Sequence, residues 1–273
     1  MPELPEVETI IRTLEKSLMG KIITNINFIY PMLLETQSEF PLESLVGHRF
    51  IGFHRRGKYL WFEMSGGLHW IMHLRMEGKF YLYDHEVEPT KHTHCVITYD
   101  GGCIHYLDTR KFSRMAIVSS PLDYLETKKL GLEPFDSNLN GAYLYSKIHH
   151  SKRAIKNILL DQSLIAGIGN IYADEILYEA QIHPLTIGSK ITKLQAQSLV
   201  DITRSILKHA IEAGGTTIRS YTSSLNVTGR FQINLKAYGQ AGKPCERCGT
   251  AMTRINVGGR GTVFCEQCQK VKR

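Results

Sequence analysis

HCVITYDGGCIHYL, residues 94–107, decides how the first half of the chain folds. Apolar and polar side chains alternate on either side of Asp100-Gly101-Gly102, a hairpin turn signal, so strands are predicted over 94–99 and 103–107. Further short strands are expected on both sides of this pair. Upstream they cover 21–30, with Ile22, Thr24, Ile26 and Phe28 on one face, then 49–53, 59–64 and 68–74; downstream, 115–118. Many short strands parted by turn residues indicate a β-sandwich. Before them, Val7, Ile10, Ile11, Leu14 and Leu18 recur at helical spacing and Gly20 follows, so a first helix reaching about Met19 packs beside the sandwich.

Beyond residue 118 the texture changes. Residues 119–140 hold three Pro or Gly and little periodicity, which reads as a linker. Ser151 is placed to cap a helix holding Ile155, Ile158 and Leu159. Tyr172, Ile176, Leu177 and Ala180 mark a second helix ending near Pro184, and Leu199, Ile202, Ile206 and Ala210 a third, closed by Gly214-Gly215. Between the first two lies Ala166-Gly167-Ile168-Gly169-Asn170. Its glycine can end one helix while Asn170 caps the next, and its amides can also hold a DNA phosphate; the two roles are compatible. Residues 216–231 leave the helical pattern and are rich in hydroxyl side chains, as a long loop would be.

At 273 residues and 42% hydrophobic, the chain is long enough for two domains and a small appendage. It has no apolar run long enough to span a membrane and no secretory leader pattern, so a soluble intracellular protein is expected. The net charge is +7, and residues 236–273 alone carry eight Lys or Arg against two Glu. That concentration favours nucleic acid as the partner. In the same segment Cys245, Cys248, Cys265 and Cys268 form C-x2-C-x16-C-x2-C, two knuckles that present four thiolates to one tetrahedral zinc. Two disulfides are the weaker reading in a chain without a secretion signal. Residues 255–264 flank Gly258-Gly259 and fit a β-hairpin with Arg260 at its tip, while Cys95 and Cys103 read as buried free thiols.

The terminus MPELPEVETI admits two readings. Once Met1 is removed, the Pro2 ring nitrogen is a secondary amine able to condense with an aldehyde-like carbon, and Glu3 tethers a carboxyl group beside it. The plainer reading is that Pro2 and Pro5 stiffen a helix entry, with Glu6 and Glu8 near its positive end. Taken alone, the stretch favours the plainer one.

Five motifs in order change that balance: PELPEVET, HLRMEG at 73–78, DTRKF at 108–112, GIGNIYADE at 167–175, and the cysteine unit with its GGRGT. Together they resemble the bacterial formamidopyrimidine-DNA glycosylases of the Fpg/endonuclease VIII family over essentially the whole chain. Leu4 stands where the endonuclease VIII branch typically has Gly, which points to the purine-lesion branch. The resemblance implies an α+β fold: an N-terminal catalytic β-sandwich with flanking helices (1–134), a helix-two-turn-helix DNA-binding domain with a lesion-recognition loop (135–235), and a zinc-finger β-hairpin (236–273), with DNA in the cleft between domains. It implies one structural zinc, double-stranded DNA bearing damaged bases or abasic sites as the partner, a monomer, no membrane association, and a cytoplasmic, nucleoid-associated location.

The implied activity is base-excision repair by a bifunctional glycosylase and abasic-site lyase. The enzyme would flip out an oxidised purine such as 8-oxoguanine or a formamidopyrimidine. Pro2 would attack the anomeric carbon while Glu3 protonates the sugar ring oxygen. Loss of the base leaves an iminium ion, from which β- and δ-elimination remove both phosphates. By the same resemblance Lys58 is the proton donor for β-elimination, and Arg260 grips the phosphates and assists δ-elimination. His92, Arg110, Lys156 and Asn170 are implied DNA contacts. Met76, Arg110 and Phe112 match the trio that fills the void left by the flipped base, and Glu77 with Thr216, Thr217, Ile218, Arg219, Ser220 and Tyr221 matches the lesion pocket. Arg75, Thr109 and Ser113 replace the commoner Gly, Pro and Gly, and Asn226 replaces a loop glycine. Alternative readings are the same family acting on oxidised pyrimidines, a DNA-binding zinc protein that has lost catalysis, and a zinc ribbon on an unrelated helical protein. Retention of Pro2, Glu3, Lys58 and Arg260 together argues against the inactive reading, and the N-terminal motif against the last.

Overall fold

The computed structural model describes residues 1–215 and 235–271. They fall into two compact units, residues 1–128 with 214 and 215, and residues 129–213 with 235–271. Thr216 to Tyr221, expected in the lesion pocket, and Asn226 lie outside the described residues.

Two four-stranded antiparallel sheets build the first unit. One has the order β1 (Ile23–Asn27), β6 (Thr93–Tyr99), β7 (Gly102–Leu107), β5 (Lys79–Tyr83); the other runs β2 (Phe50–Arg56), β3 (Tyr59–Met64), β4 (Leu68–His73), β8 (Arg114–Val118). The expected hairpin is present, with Tyr99 opposite Gly102 and Gly101 at φ +113°, where a side chain would be strained. Its tip is tied to the start of β1: the Ile22 N–H donates to Asp100 Oδ1 at 2.6 Å and Lys21 Nζ to the Asp100 carbonyl at 2.8 Å. Phe50, Phe62, Trp70, Phe80 and Tyr106 fill the core, with Phe62 and Trp70 ring centroids 4.9 Å apart. Helix α1 (Leu4–Leu18) buries Val7, Ile10, Ile11, Leu14 and Leu18 in that same core. Each buried Leu or Ile contributes about 1.5–3 kcal/mol, so the stripe rather than intrinsic propensity holds the helix in place. Cys95 and Cys103 are buried free thiols, as expected.

Three elements escaped the sequence pattern. Strand β5 alternates over five residues, too short a run to stand out beside Gly78. Helix α2 (Pro121–Thr127) lies inside the expected linker; its seven residues start on a Ser120 cap with Pro121 at the first position. Helix α3 (Gly141–Ile148) starts on Asn140, whose Oδ1 accepts the Tyr143 N–H at 2.9 Å.

In the second unit α3 joins α4 (Ile155–Leu159), α5 (Asn170–Glu179) and α6 (Lys193–Glu212). Leu144, Ile155, Leu159, Tyr172, Ile176 and Leu199 are among the buried side chains of their shared core. Two expected caps are corrected. Ala154, not Ser151, precedes α4, because the Ser151 hydroxyl accepts the Arg153 N–H instead. Gly169 is the N-cap of α5 and Asn170 its first residue, whose amide points away to donate to the Gly261 carbonyl at 3.0 Å.

That carbonyl belongs to a hairpin, β9 (Thr253–Val257) with β10 (Arg260–Phe264). Adjacent acids on α5 hold the hairpin and the segment leading to it. Asp174 accepts Lys156 Nζ at 2.6 Å and the Val263 N–H at 3.1 Å, and the same Lys156 ammonium donates to Thr262 Oγ1 at 2.7 Å. Glu175 accepts the N–H groups of Lys236, Ala237 and Tyr238 at 2.8–3.0 Å. Lys156 and Asp174 side chains are both 0% exposed, and burial pushes the Asp174 carboxyl up to about 6 against the pull of Lys156. A charge left alone there has nothing to compensate it. Lys156→Met or Asp174→Leu alone is therefore expected to cost about 3–5 kcal/mol, and the double variant much less than the sum. Chemical denaturation of the four proteins measures this; additive losses would contradict a buried, coupled pair.

Candidate functional site

The first unit holds the N-terminal motif and joins the HLRMEG and DTRKF motifs to each other. Pro2 and Glu3 are buried at the start of α1, with Glu3 only 2% exposed. The Glu6 carboxylate reaches back to accept the Glu3 N–H at 2.9 Å, fixing the chain just behind Pro2. With Met1 in place the Pro2 nitrogen is an amide; its removal turns that nitrogen into an amine whose position is already set by the helix. One turn on, Glu8 accepts Arg55 Nε at 2.9 Å. Burial raises the Glu8 pKa, but the Arg55 and Arg12 guanidiniums prevail and hold it below its usual value. This pair ties α1 to the end of β2, and the turn that follows carries Lys58, which is 5% exposed.

Next to Lys58 in its electrostatic surroundings stands His73. Burial first, then the Arg75 and Lys58 charges, push its pKa down to about 3, so its ring is neutral. Its Nδ1 accepts the Arg75 N–H at 3.0 Å, which leaves the proton on Nε2. The HLRMEG turn closes through the Gly78 N–H to the Leu74 carbonyl at 3.0 Å. Any Cβ on Gly78 would collide with Tyr106 Oη, Ser113 Oγ and the Leu74 carbonyl, so only glycine fits.

The DTRKF turn is organised by Asp108, 0% exposed, whose carboxylate accepts the N–H groups of Arg110 at 3.0 Å and Ser113 at 2.8 Å. Ser113 Oγ stands 2.6 Å from Asp108 Oδ2 and 3.0 Å from the Leu74 carbonyl, so its one proton can serve either turn. The Thr109 hydroxyl donates to the Glu77 carboxylate. Two departures from the common pattern, Ser113 and Thr109, thus join the two turns. Beyond the clamp Phe112 projects, 49% exposed, with the Arg110 guanidinium 4.8 Å from its ring centroid, and Met76 is half-buried. An aromatic ring left that far in water beside a cation is not a core residue. His92, half-buried, accepts the Asp108 N–H through its carbonyl and so borders the same turn.

The second unit holds the remaining expected residues. Arg260 is exposed at the start of β10, facing a pocket of about 510 Å³ lined also by Asn170, Tyr238 and Arg254. Two guanidiniums, a phenol and an amide suit an anionic ligand. Asn170 enters that pocket while pinning Gly261, whereas Lys156 is fully buried with its ammonium on Asp174 and Thr262. Tyr238, Arg254 and Glu175 join these residues without a local sequence signal for the part they play. Arg254 was visible only as one of the basic residues of the segment, and Glu175 as a letter of the GIGNIYADE motif.

Cys245, Cys248, Cys265 and Cys268 place their four Sγ atoms within 4.8 Å of one another. Two of the pairs stand 4.0 Å and 3.5 Å apart. Tetrahedral zinc with Zn–S near 2.3 Å asks for edges of about 3.8 Å, so the donor set fits one zinc closed by four sulfurs. The outer contacts are structural. Gln269, 0% exposed, accepts the Cys265 N–H at 2.9 Å and donates to the Ile182 carbonyl at 3.0 Å, and Arg247 donates to the Tyr178 carbonyl at 2.9 Å.

Comparison with known proteins covers the same regions of the chain. Residues 1–115 match the formamidopyrimidine-DNA glycosylase N-terminal domain, 130–222 the formamidopyrimidine-DNA glycosylase H2TH domain, and 242–271 the zinc finger found in FPG and IleRS. The formamidopyrimidine-DNA glycosylase of Ligilactobacillus salivarius is 46% identical over 100% of both chains, and that of Streptococcus pneumoniae serotype 4 is 42% identical over 99% of both. Among solved structures, a Lactococcus lactis FPG variant in complex with a Fapy-dG containing DNA superposes with a TM-score of 0.93 at 40% identity, covering 98% of this chain and 100% of that one. A complex of Lactococcus lactis Fpg with an abasic site containing DNA gives 0.92 at 39% identity, covering 98% and 99%. With its full length covered at such identity, and with a buried Pro-Glu terminus, two clamped turns and a four-sulfur zinc site, the chain belongs to the formamidopyrimidine-DNA glycosylase family.

Proposed function

We propose that this protein is a base-excision repair enzyme, a bifunctional DNA glycosylase and abasic-site lyase that acts on oxidised purines. The observation that carries the reading is the seat of the terminus: Pro2 and Glu3 buried at the head of a helix whose apolar stripe is locked into the sandwich core. Family membership and the DNA-bound relatives support the same activity.

In this reading the Pro2 amine attacks C1′ of the flipped nucleotide as the bond to the base breaks. Glu3 gives its proton to the sugar ring oxygen, opening the ring. The resulting iminium ion withdraws electrons from the adjacent carbon, whose proton leaves, and the 3′ phosphate departs by β-elimination. Lys58 supplies a proton in that step. Removal of a second proton expels the 5′ phosphate by δ-elimination, with Arg260 holding the leaving group. Met76, Arg110 and Phe112 fill the gap in the stack; the exposure of Phe112 and the cation beside it support that assignment. Glu77 is assigned to lesion reading, and so by the resemblance are residues 216–221, which lie outside the described residues. His92, Asn170 and Lys156 act at the DNA backbone, Asn170 and Lys156 through the hairpin they hold. Zinc supplies the cross-link that keeps the hairpin folded, and the three modules 1–134, 135–235 and 236–273 divide the labour as chemistry, duplex binding and phosphate grip. The site of action is cytoplasmic, on the nucleoid.

Two outcomes are expected. On a panel of labelled duplexes, the Met1-free protein cuts 8-oxoguanine and formamidopyrimidine substrates opposite cytosine, leaving phosphate at both ends of a one-nucleotide gap. Faster cleavage of oxidised pyrimidines would move the protein to that specificity, and binding without cleavage would make it an inactive relative. Phe112→Ala slows excision of 8-oxoguanine by roughly tenfold or more, about 1.4 kcal/mol, while cleavage of a preformed abasic site changes far less. Equal losses on both substrates would contradict a wedge.

A further inference from the structure

The backbone of Arg75 stands at φ +51°, in the left-handed region where a side chain is disfavoured and glycine is not. Three other described residues with side chains share that conformation, and each has a reason. Lys129 and Gln181 directly follow the last turns of α2 and α5, where a left-handed residue ends a helix. Lys111 lays its ammonium 4.7 Å from the centroid of the Tyr30 ring. Arg75 ends no helix. Its side chain is exposed, and its guanidinium has no hydrogen bond, ion pair or ring partner among the described residues.

That guanidinium lies within the electrostatic reach of the reaction site. Its charge acts on His73 together with that of Lys58, and also on Tyr59 and Tyr124. Two nearby carboxylates have partners other than Arg75: Glu35 takes Lys128 at 2.8 Å and Tyr124 at 2.7 Å, and Glu77 takes Thr109. Two cations, Arg75 and Lys58, thus act on the one buried His73 ring, whose Nε2 carries the proton, and Arg75 directly precedes Met76. A planar fork of N–H donors matches a phosphodiester oxygen pair.

We propose that Arg75 is a DNA-backbone contact, its guanidinium taking a phosphate of the bound strand beside Lys58 and His73. The inference rests on the reading of the chain as a DNA repair enzyme. A side chain placed where glycine would be unstrained, with no partner for its guanidinium among the described residues, is thereby explained. Contact with a phosphate carries no sequence information, so the effect is on affinity and its salt dependence.

Fluorescence anisotropy on a duplex with a tetrahydrofuran abasic-site analogue tests this, using full-length zinc-loaded protein across a salt series. For Arg75→Gly the slope of log affinity against log salt becomes shallower by about 0.9, and affinity at about 0.1 M salt falls roughly eightfold, the worth of one phosphate contact relative to about 1 M. Arg75→Lys keeps the slope. The thermal midpoint of Arg75→Gly is no lower than that of the parent, because the substitution relieves the backbone; this separates lost contact from lost folding. Parental affinity and slope in Arg75→Gly would overturn the proposal, as would an unchanged slope with altered preference for the base opposite the site, which would mark a base contact. Failure of the parent protein to bind this duplex would instead overturn the repair-enzyme reading itself.

Discussion

A nucleophile at the first residue of a chain, the role proposed for Pro2, is held from one side only, and the packing of the first helix answers that constraint. An untethered terminus would sample many positions, and misplacement by an ångström is enough to lose most of the benefit of proximity. Here fixation comes from α1, whose five apolar residues are sunk in the sandwich core, and from Glu6, which closes on the Glu3 amide. The same helix is joined by Glu8 and Arg55 to the strand that leads into Lys58. Hydrophobic burial sets the position coarsely, and charge-assisted hydrogen bonds set it finely.

The second unit solves a different problem with adjacent acids. A hairpin of twelve residues and a zinc cannot bury enough surface to orient itself, so α5 orients it. Asp174 takes β10 and the Lys156 ammonium, and Glu175 takes three amides of the segment 236–238. Two residues lining the pocket around Arg260 are anchored from α5: Tyr238 through Glu175, and Gly261 through Asn170. Buried charges are costly, and here they buy a fixed geometry for an exposed arginine.

Much of this was legible in the sequence because it rests on local rules. The hairpin at 94–107, strand β3, the stripe of α1 and the four-cysteine spacing each follow from a period or a turn, and all stand in the structure. The short elements β5, α2 and α3 were not legible, since five to eight residues carry too little pattern and their caps, Ser120 and Asn140, look like loop residues. Partnerships across long separations were also hidden. Nothing local shows that Lys156 meets Asp174 and Thr262, or that Ser113 and Thr109 would stitch two turns together. The terminus itself was readable only through the motif, because Pro and Glu at a helix start have an ordinary structural reading that the chemistry does not alter.

Covalent chemistry at Pro2 is measured directly by borohydride trapping. The Met1-free protein is incubated with a labelled duplex containing 8-oxoguanine opposite cytosine while borohydride reduces any iminium to a stable amine. A covalent protein–DNA band that disappears when the terminus is blocked, by retained Met1 or by acetylation, is the predicted result. A band that persists with a blocked terminus, or its absence from a protein that binds and excises the lesion, would contradict the account.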